Sequence, residues 1–543
     1  MASLVTLLLL CFLLIGAVLA QEEDPIVQLD YGTFQGRYNA DYNISYFRKI
    51  PFGASTAGEN RFRAPQPPLP LTNRTTPYNT DQSFDMCPQR TVNGSEDCLY
   101  LGLYSRPWTA GAPLRPVLVV FYGGGFIQGS AAFSIPPPMY PVLNASAAAN
   151  DFVVVYPNYR TNAFGFLPGR AVRDSPAADL NAGLLDQRAA LRWVRANIAA
   201  FGGDPARVTI QGQSAGGGSV VAQAIAAADD ASAGEKLFSR ALPGSPFWPK
   251  TYAYDAPEAE ALYAELAARV GCANQTDHGS LACLKAADVQ AIRDASLAIS
   301  ALNKNTTSSF NWAPVVDGDF LRSPLSAVRT LGADVDVVWS SFNTHEGENF
   351  VPGGLGQQIS DPYGFNNSEA GFDFWLRGYL PRFSATQVAE VKRLYPASGD
   401  AEEAVWNSTV VRAGMVFRDS VLACPGLWLA EAAGEKGYLS EYTIRERERL
   451  TDPLFLDQQW NQINSVQKSQ PVTYKGLAGA MASFFQTGDP NAHKLTDDSQ
   501  SGVPELGTGK EWVIKTESLE ETDIGRLKTR CAFWRENAED IPL

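Results

Sequence analysis

Ser214 lies in the stretch Gly212-Gln213-Ser214-Ala215-Gly216, with a glycine two positions to either side. A serine hydroxyl is a useful nucleophile once a neighbouring base takes its proton. The chemistry this spacing suits is acyl transfer, in which the serine sits on a tight, strained strand-to-helix turn that leaves no room for flanking side chains. Gly212 and Gly216 meet that demand. Acyl transfer also needs N–H groups preorganised around a developing oxyanion. Gly123-Gly124-Gly125 ends an apolar run, so the N–H groups of Gly124 and Gly125 are candidates, with that of Ala215 as a third. Three glycines also suit a phosphate loop, but no Gly-Lys-Ser/Thr follows them. The remaining requirement is an acid to orient the base, and for this type of turn the chain order is serine, acid, histidine. Glu346, at the end of another apolar run, fits the second place.

These groups work only if elements bring them together. "RPVLVVFYGGGF" (Arg115 to Phe126) and "FVVVYPNYR" (Phe152 to Arg160) read as buried strands. Residues 182–205 form an amphipathic helix with Leu184, Leu185, Ala189, Leu191, Trp193, Val194 and Ile198 on its apolar face, stopped by Gly202-Gly203. Residues 206–214 read as a strand running straight into Ser214, with a helix after it, and 335–347 as a strand ending at Glu346. Strands alternating with helices predict a mostly parallel central sheet with helices on both faces. In such sheets sites form at the carboxyl ends of strands, where Gly123 to Gly125, Ser214 and Glu346 all fall. There is no internal repeat and no Ser/Gly linker, so residues 21–543 read as a single domain.

The first twenty residues, apolar and ending in small side chains before QEED, read as a secretory signal cleaved after Ala20. The run is short for a membrane span, which takes about 20 apolar residues, so no stable membrane anchor is expected. Six cysteines remain beyond it (Cys87, Cys98, Cys272, Cys283, Cys424 and Cys531), an even count that implies disulfides without saying which. Eight N-x-S/T sequons begin at Asn43, Asn73, Asn93, Asn144, Asn274, Asn305, Asn366 and Asn407 and agree with a glycosylated extracellular protein. A net charge of −14 argues against a nucleic-acid partner. "IRERERL" (Ile444 to Leu450) alternates in sign and reads as a solvated face.

The motifs "SEDCLYL", "YGGGF", "FGGDPARVTIQGQSAGG" and "NTHEGENF", with "RFRAPQPP", "FRDSVLACP" and "FFQTGDPN", resemble the type-B carboxylesterase/lipase family, which includes cholinesterases and fungal lipases. The likeness is nearest in character to the secreted fungal esterases and runs over nearly the whole mature chain. It implies an α/β-hydrolase fold, Ser214 as acyl nucleophile, Glu346 as triad acid, and an oxyanion hole from Gly124, Gly125 and Ala215. It also implies the pairs Cys87–Cys98, Cys272–Cys283 and Cys424–Cys531, and an ion pair from Glu96 to Arg61 or Arg63. The implied reaction needs no metal or organic cofactor, and the implied partner is a small-molecule ester.

Two departures stand out. Only ten residues separate Cys87 from Cys98, and none is aromatic, where family lipases and cholinesterases carry a much longer loop. This favours an esterase without a lid, for small or medium esters. The second concerns the base. The resemblance places the histidine roughly a hundred residues after the acid, near "YTIRERERLTDPLFLDQQW" (Tyr442 to Trp460), where there is none. The chain's three histidines are His278, His345 and His493. His345 adjoins Glu346 and would point to the opposite face of a strand. His493 follows the TGDPN landmark instead of preceding it, and His278 sits in the small Cys272–Cys283 loop. Either the chain is a catalytically impaired homologue, acting as a binding or adhesion protein, or the deduced sequence omits a coding segment between Tyr442 and Trp460. Phe126, Trp248 and Trp312 are candidates to line a substrate pocket or to be plain core.

Overall fold

Alternation of buried side chains along the strands builds a sheet covered on both faces. The computed structural model describes residues 23–543 apart from 73–75, 146–150, 230–235, 274–275, 302–307, 309, 333–334 and 445–468. Among the described residues the large sheet has eleven strands. They are β1 (Arg37–Asn39), β2 (Ile44–Pro51), β3 (Tyr100–Ser105), β4 (Arg115–Phe121), β5 (Val153–Pro157), β6 (Gly203–Gln213), β7 (Arg240–Gly244), β8 (Val337–Asn343), β9 (Gly437–Tyr442), β10 (Lys510–Lys515) and β11 (Ser518–Asp523). Their spatial order is β11-β10-β9-β8-β7-β6-β4-β5-β3-β2-β1. The block from β10 to β5 is parallel throughout, and antiparallel strands form both margins.

Successive strand residues feed two cores, because side chains alternate across a pleat. Val117 and Val119 of β4, Val153 and Val155 of β5, Val338 of β8 and Leu439 of β9 join one core. Leu118, Val154, Val337, Trp339 and Tyr438 join the other. The first core is closed by α1 (Ala182–Asn197), α2 (Ala215–Asp229) and α8 (Cys424–Ala432), the second by α9 (Pro471–Thr487). The remaining helices that matter below are α3 (Pro257–Val270), α4 (Asp277–Ala286), α5 (Val289–Ala301), α6 (Glu369–Tyr379), α7 (Thr409–Arg418) and α10 (Gly525–Glu536). The mostly parallel sheet with helices on both faces is the α/β-hydrolase arrangement expected.

Local readings were adjusted by packing. The strand before Ser214 starts at Gly203, not Ala206, because Gly203 pairs with Arg115 across the sheet. Helix α1 buries Ala190 along with Leu184, Leu191, Trp193 and Val194, while Leu185 and Ala189 are half-buried. Its buried Asp186 takes a bidentate ion pair from Arg160, with Nη2 to Oδ1 at 2.7 Å and Nε to Oδ2 at 2.8 Å. The disulfides join Cys87 to Cys98, Cys272 to Cys283 and Cys424 to Cys531. Glu96 pairs with Arg61, not Arg63, at 2.6 Å. The proposed signal and residues 445–450 of the charged face lie outside the described residues. Among the described residues, no helix is long and apolar enough to cross a membrane.

Candidate active site

Strand β6 delivers Ser214 at its carboxyl end, and α2 begins at the next residue. Ser214 holds φ 58, the left-handed region that L residues avoid. Three backbone bonds keep it there: Ser214 N–H donates to Gly244 at 3.0 Å, and its carbonyl accepts from Gly218 and from Phe247, each at 2.9 Å. The flanking glycines are sterically required. A Cβ on Gly212 would lie 2.3 Å from the Gly216 carbonyl carbon, and one on Gly216 would lie 2.2 Å from the Phe121 carbonyl oxygen.

The glycine run lies directly against this turn. A Cβ on Gly123 would come within 3.2 Å of Ser214 Cβ. Gly124 and Gly125 have φ 113 and φ 64, which peels the chain away from β4 into a tight loop. Among the described residues, the N–H groups of Gly124, Gly125 and Ala215 are donated to no protein acceptor. The Ala215 N–H also opens α2, where the helix dipole places partial positive charge. Behind the loop, the Tyr122 and Tyr159 rings stack at 4.0 Å, and the Tyr159 hydroxyl donates to the Tyr122 carbonyl at 2.6 Å.

Glu346 follows β8 and is 3% exposed. Its Oε2 accepts from Asn343 Nδ2 at 3.0 Å, while Oε1 accepts no well-formed hydrogen bond among the described residues. Burial pushes its carboxyl up to about 7; the nearby Ser245 hydroxyl, Asn343 and Arg418 only partly offset that. Ser245, at φ 40, is tied by its N–H to the Ser341 carbonyl at 2.6 Å. Sequence reasoning passed over Ser245, whose only local signal is its place at the end of β7.

Neither His345 nor His493 is hydrogen-bonded to Ser214 or Glu346 among the described contacts, and the His278 side chain lies outside the described residues. His345 is buried and its Nδ1 is engaged with Glu348 Oε1 at 2.8 Å. The His493 N–H donates to Ser483 Oγ at 3.0 Å in an exposed turn after α9. His278 lies on α4 between the two cysteines. Most of the stretch from Tyr442 to Trp460 is outside the described residues.

A model of the carboxylesterase family matches residues 23–534. The chain belongs to the carboxylesterase family. Among curated relatives, this carboxylesterase-family chain is 31% identical over 317 residues to secreted lipase 1 of Botryotinia fuckeliana, a match covering 52% of the chain and 53% of the relative. It thus spans about half the length of that relative. Among solved structures it is similar to Aspergillus niger EstA, with a TM-score of 0.80 and 24% identity, covering 96% of this chain and 99% of that one.

In this carboxylesterase-family chain the short Cys87–Cys98 loop is pinned beside the glycine run. Gln89 Nε2 donates to the Gly129 carbonyl and Gly129 N–H donates back to Gln89 Oε1, both at 2.8 Å. Arg293 of α5 donates to the Gln89 carbonyl at 2.8 Å. Phe126, Trp248 and Trp312 are fully buried core residues. The nearby cavity, of about 430 Å³, is lined by other aromatics, chiefly Phe247, Phe310, Tyr379 and Phe417. Among the described residues no cluster of His, Cys, Asp and Glu is arranged to hold a metal ion.

Proposed function

We propose that the chain is a secreted serine hydrolase that cleaves carboxylic esters through an acyl-enzyme on Ser214. The observation that carries this reading is the left-handed Ser214 turn seated against the glycine run, with undonated N–H groups around it. Ser214 Oγ attacks the ester carbonyl carbon and its proton passes to a base. The carbonyl oxygen becomes an oxyanion held by the N–H groups of Gly124, Gly125 and Ala215, an arrangement that acts more strongly away from water. The C–O bond to the alcohol breaks and the alcohol leaves with a proton. Water then attacks the acyl-enzyme and releases the acid, restoring the serine. Glu346 is the acid that orients the base, with Oε1 the oxygen left to accept its N–H. No described histidine serves as that base.

Hydrolysis of 4-nitrophenyl butyrate by the purified protein and by Ser214→Ala tests the reading. Equal rates for the two would sink it. A second reading, a catalytically impaired homologue that binds ligands, is favoured by the engagement of His345 with Glu348. Loss of a triad member leaves a residual rate of only about 10³–10⁴ over water. A transcript read across Tyr442 to Trp460 separates the two: an added histidine codon supports the full enzyme, an uninterrupted read the impaired one.

Secretion is supported by the apolar leader of residues 1–20, by three disulfides and by the likeness to secreted lipase 1 of Botryotinia fuckeliana. Exposure of Asn43, Asn93, Asn144 and Asn407 suits glycosylation. We take residues 21–543 as one catalytic domain acting on a small-molecule ester, with no nucleic-acid partner.

A further inference from the structure

The cavity of about 430 Å³ shares one wall with the candidate site. The Phe247 N–H donates to the Ser214 carbonyl, and Phe310 lies 3.3 Å from where a Cβ on Gly125 would stand. The Phe247 and Phe310 rings meet edge to face at 4.7 Å. Phe350, just past Glu346, stacks on Phe417 at 5.0 Å and on Phe247 at 6.0 Å. This aromatic wall therefore bonds to the nucleophile turn and lies close to Gly125.

Within the cavity is a cation, Lys250, that no carboxylate among the described residues reaches at ion-pair distance. Lys250 lines it, with Nζ donating to the Tyr379 carbonyl at 2.5 Å and lying 4.9 Å from the Tyr379 ring centre. Of the two acids in the lining, Glu265 pairs with Arg269 at 2.7 Å, and Glu258 pairs with Arg382 through Oε1 while its Oε2 has no hydrogen-bond partner among the described residues. Among the described residues no carboxylate reaches ion-pair distance of Lys250 Nζ. A half-buried ammonium repelled by Arg382, and offset only by a Glu258 that Arg382 shares, would gain from a ligand carboxylate.

We propose that this cavity takes the non-reacting arm of the ester, and that Lys250 selects arms that end in a carboxylate after an aliphatic stretch. The inference rests on the serine-hydrolase reading for its chemistry but not for binding. Lys250 lies three residues past Phe247, at most about 10 Å along the chain, which suits an arm on the order of six methylenes. The methylenes would lie against Phe247, Phe310 and Phe417, and the terminal carboxylate would accept from the ammonium.

The ammonium is held down to about 8 by burial, with Arg382 pressing the same way and Glu258 opposing. The Tyr252 and Tyr379 hydroxyls are both pushed up by burial and stay neutral there. Selectivity for the carboxylate therefore fades as pH rises through about 8.

The test compares kcat/KM for mono(4-nitrophenyl) octanedioate and 4-nitrophenyl octanoate. The ratio should favour the carboxylate ester, and Lys250→Met should cut it by about tenfold to a hundredfold, the range of a hydrogen bond to a charged group. Lys250→Arg should retain most of it. In parallel, calorimetry on Ser214→Ala should show tighter binding of monomethyl octanedioate than of methyl octanoate, with the difference removed by adding Lys250→Met. Absence of a wild-type preference in both assays, or a ratio untouched by Lys250→Met, overturns the inference. Binding preference without hydrolysis of either ester would remove the hydrolase reading and leave the site standing. Hydrolysis of both esters with no preference in either assay would remove the site alone.

Discussion

Glu346 keeps a proton that an exposed glutamate would lose. Its carboxyl sits at about 7 against an ordinary 4.5, because burial outweighs the help from Ser245, Asn343 and Arg418. The folded chain holds this proton more tightly than the unfolded one. Its contribution to stability is thus full below pH 4.5, declines as pH rises from there through about 7, and is flat above. The swing is on the order of 3 kcal/mol, since each pKa unit corresponds to about 1.36 kcal/mol. Glu346→Gln, neutral at every pH, should remove that share of the slope, read as the difference in urea midpoints between pH 4.5 and 7.5 against wild type. A slope unchanged in the variant would mean that the carboxyl is ionised throughout. At this scale the residue types proposed for the candidate site were legible because acyl transfer demands them: a serine between glycines, glycines before it, an acid after it. Ser245 was not, because its approach to Glu346 depends on β7 and β8 being neighbours, which no local pattern encodes.

The turn between β6 and α2 packs against the end of β4 with no space for a methyl group. Gly216→Ala would put Cβ 2.2 Å from the Phe121 carbonyl oxygen, a backbone atom that cannot rotate away. The expected loss is about 1–3 kcal/mol or more, as for other overpacked positions. Gly353→Ala is the control, since its Cβ meets nothing within 4 Å. It should stay within about 0.5 kcal/mol of wild type, as surface changes do. Thermal melts of the two variants check the contrast, and similar melting points for both would contradict the packing described. Strands and helices of this length were readable from periodicity, but their starts were not. Gly202-Gly203 reads as a break, yet Gly203 is drawn into β6 by its partner Arg115, a contact between residues far apart in the chain.

Across the whole molecule, long-range ties differ in what they hold. Cys424–Cys531 spans 107 residues and joins α8 to α10, whereas Cys272–Cys283 spans 11. By loop-closure entropy the first should contribute about 5 kcal/mol and the second about 3 kcal/mol. Replacing Cys424 and Cys531 by alanine should therefore lower stability by about 2 kcal/mol more than replacing Cys272 and Cys283. Urea unfolding of the two double variants measures it, and the reverse order would refute it. Close by, Asp419 is clamped by Arg418 at 2.7 Å and Arg530 at 2.6 Å, and Arg530 also holds Glu402 at 2.6 Å. Burial pushes Glu441 and Glu511 up in the same buried group. Neither this cluster nor the Lys250 cavity was legible in the sequence. The cavity is assembled from segments between Pro168 and Val421, each an unremarked loop or helix face when read alone.

A serine fixed at φ 58 is a liability that glycine would remove, since glycine occupies the left-handed region without steric penalty. Ser214→Gly should therefore raise stability by about 1 kcal/mol while ending any Ser214-dependent hydrolysis. Under selection for stability alone, drift at this codon runs towards glycine. A lineage released from acyl transfer has a downhill route to a sturdier, silent protein one substitution away, and this chain stands on the uphill side of it.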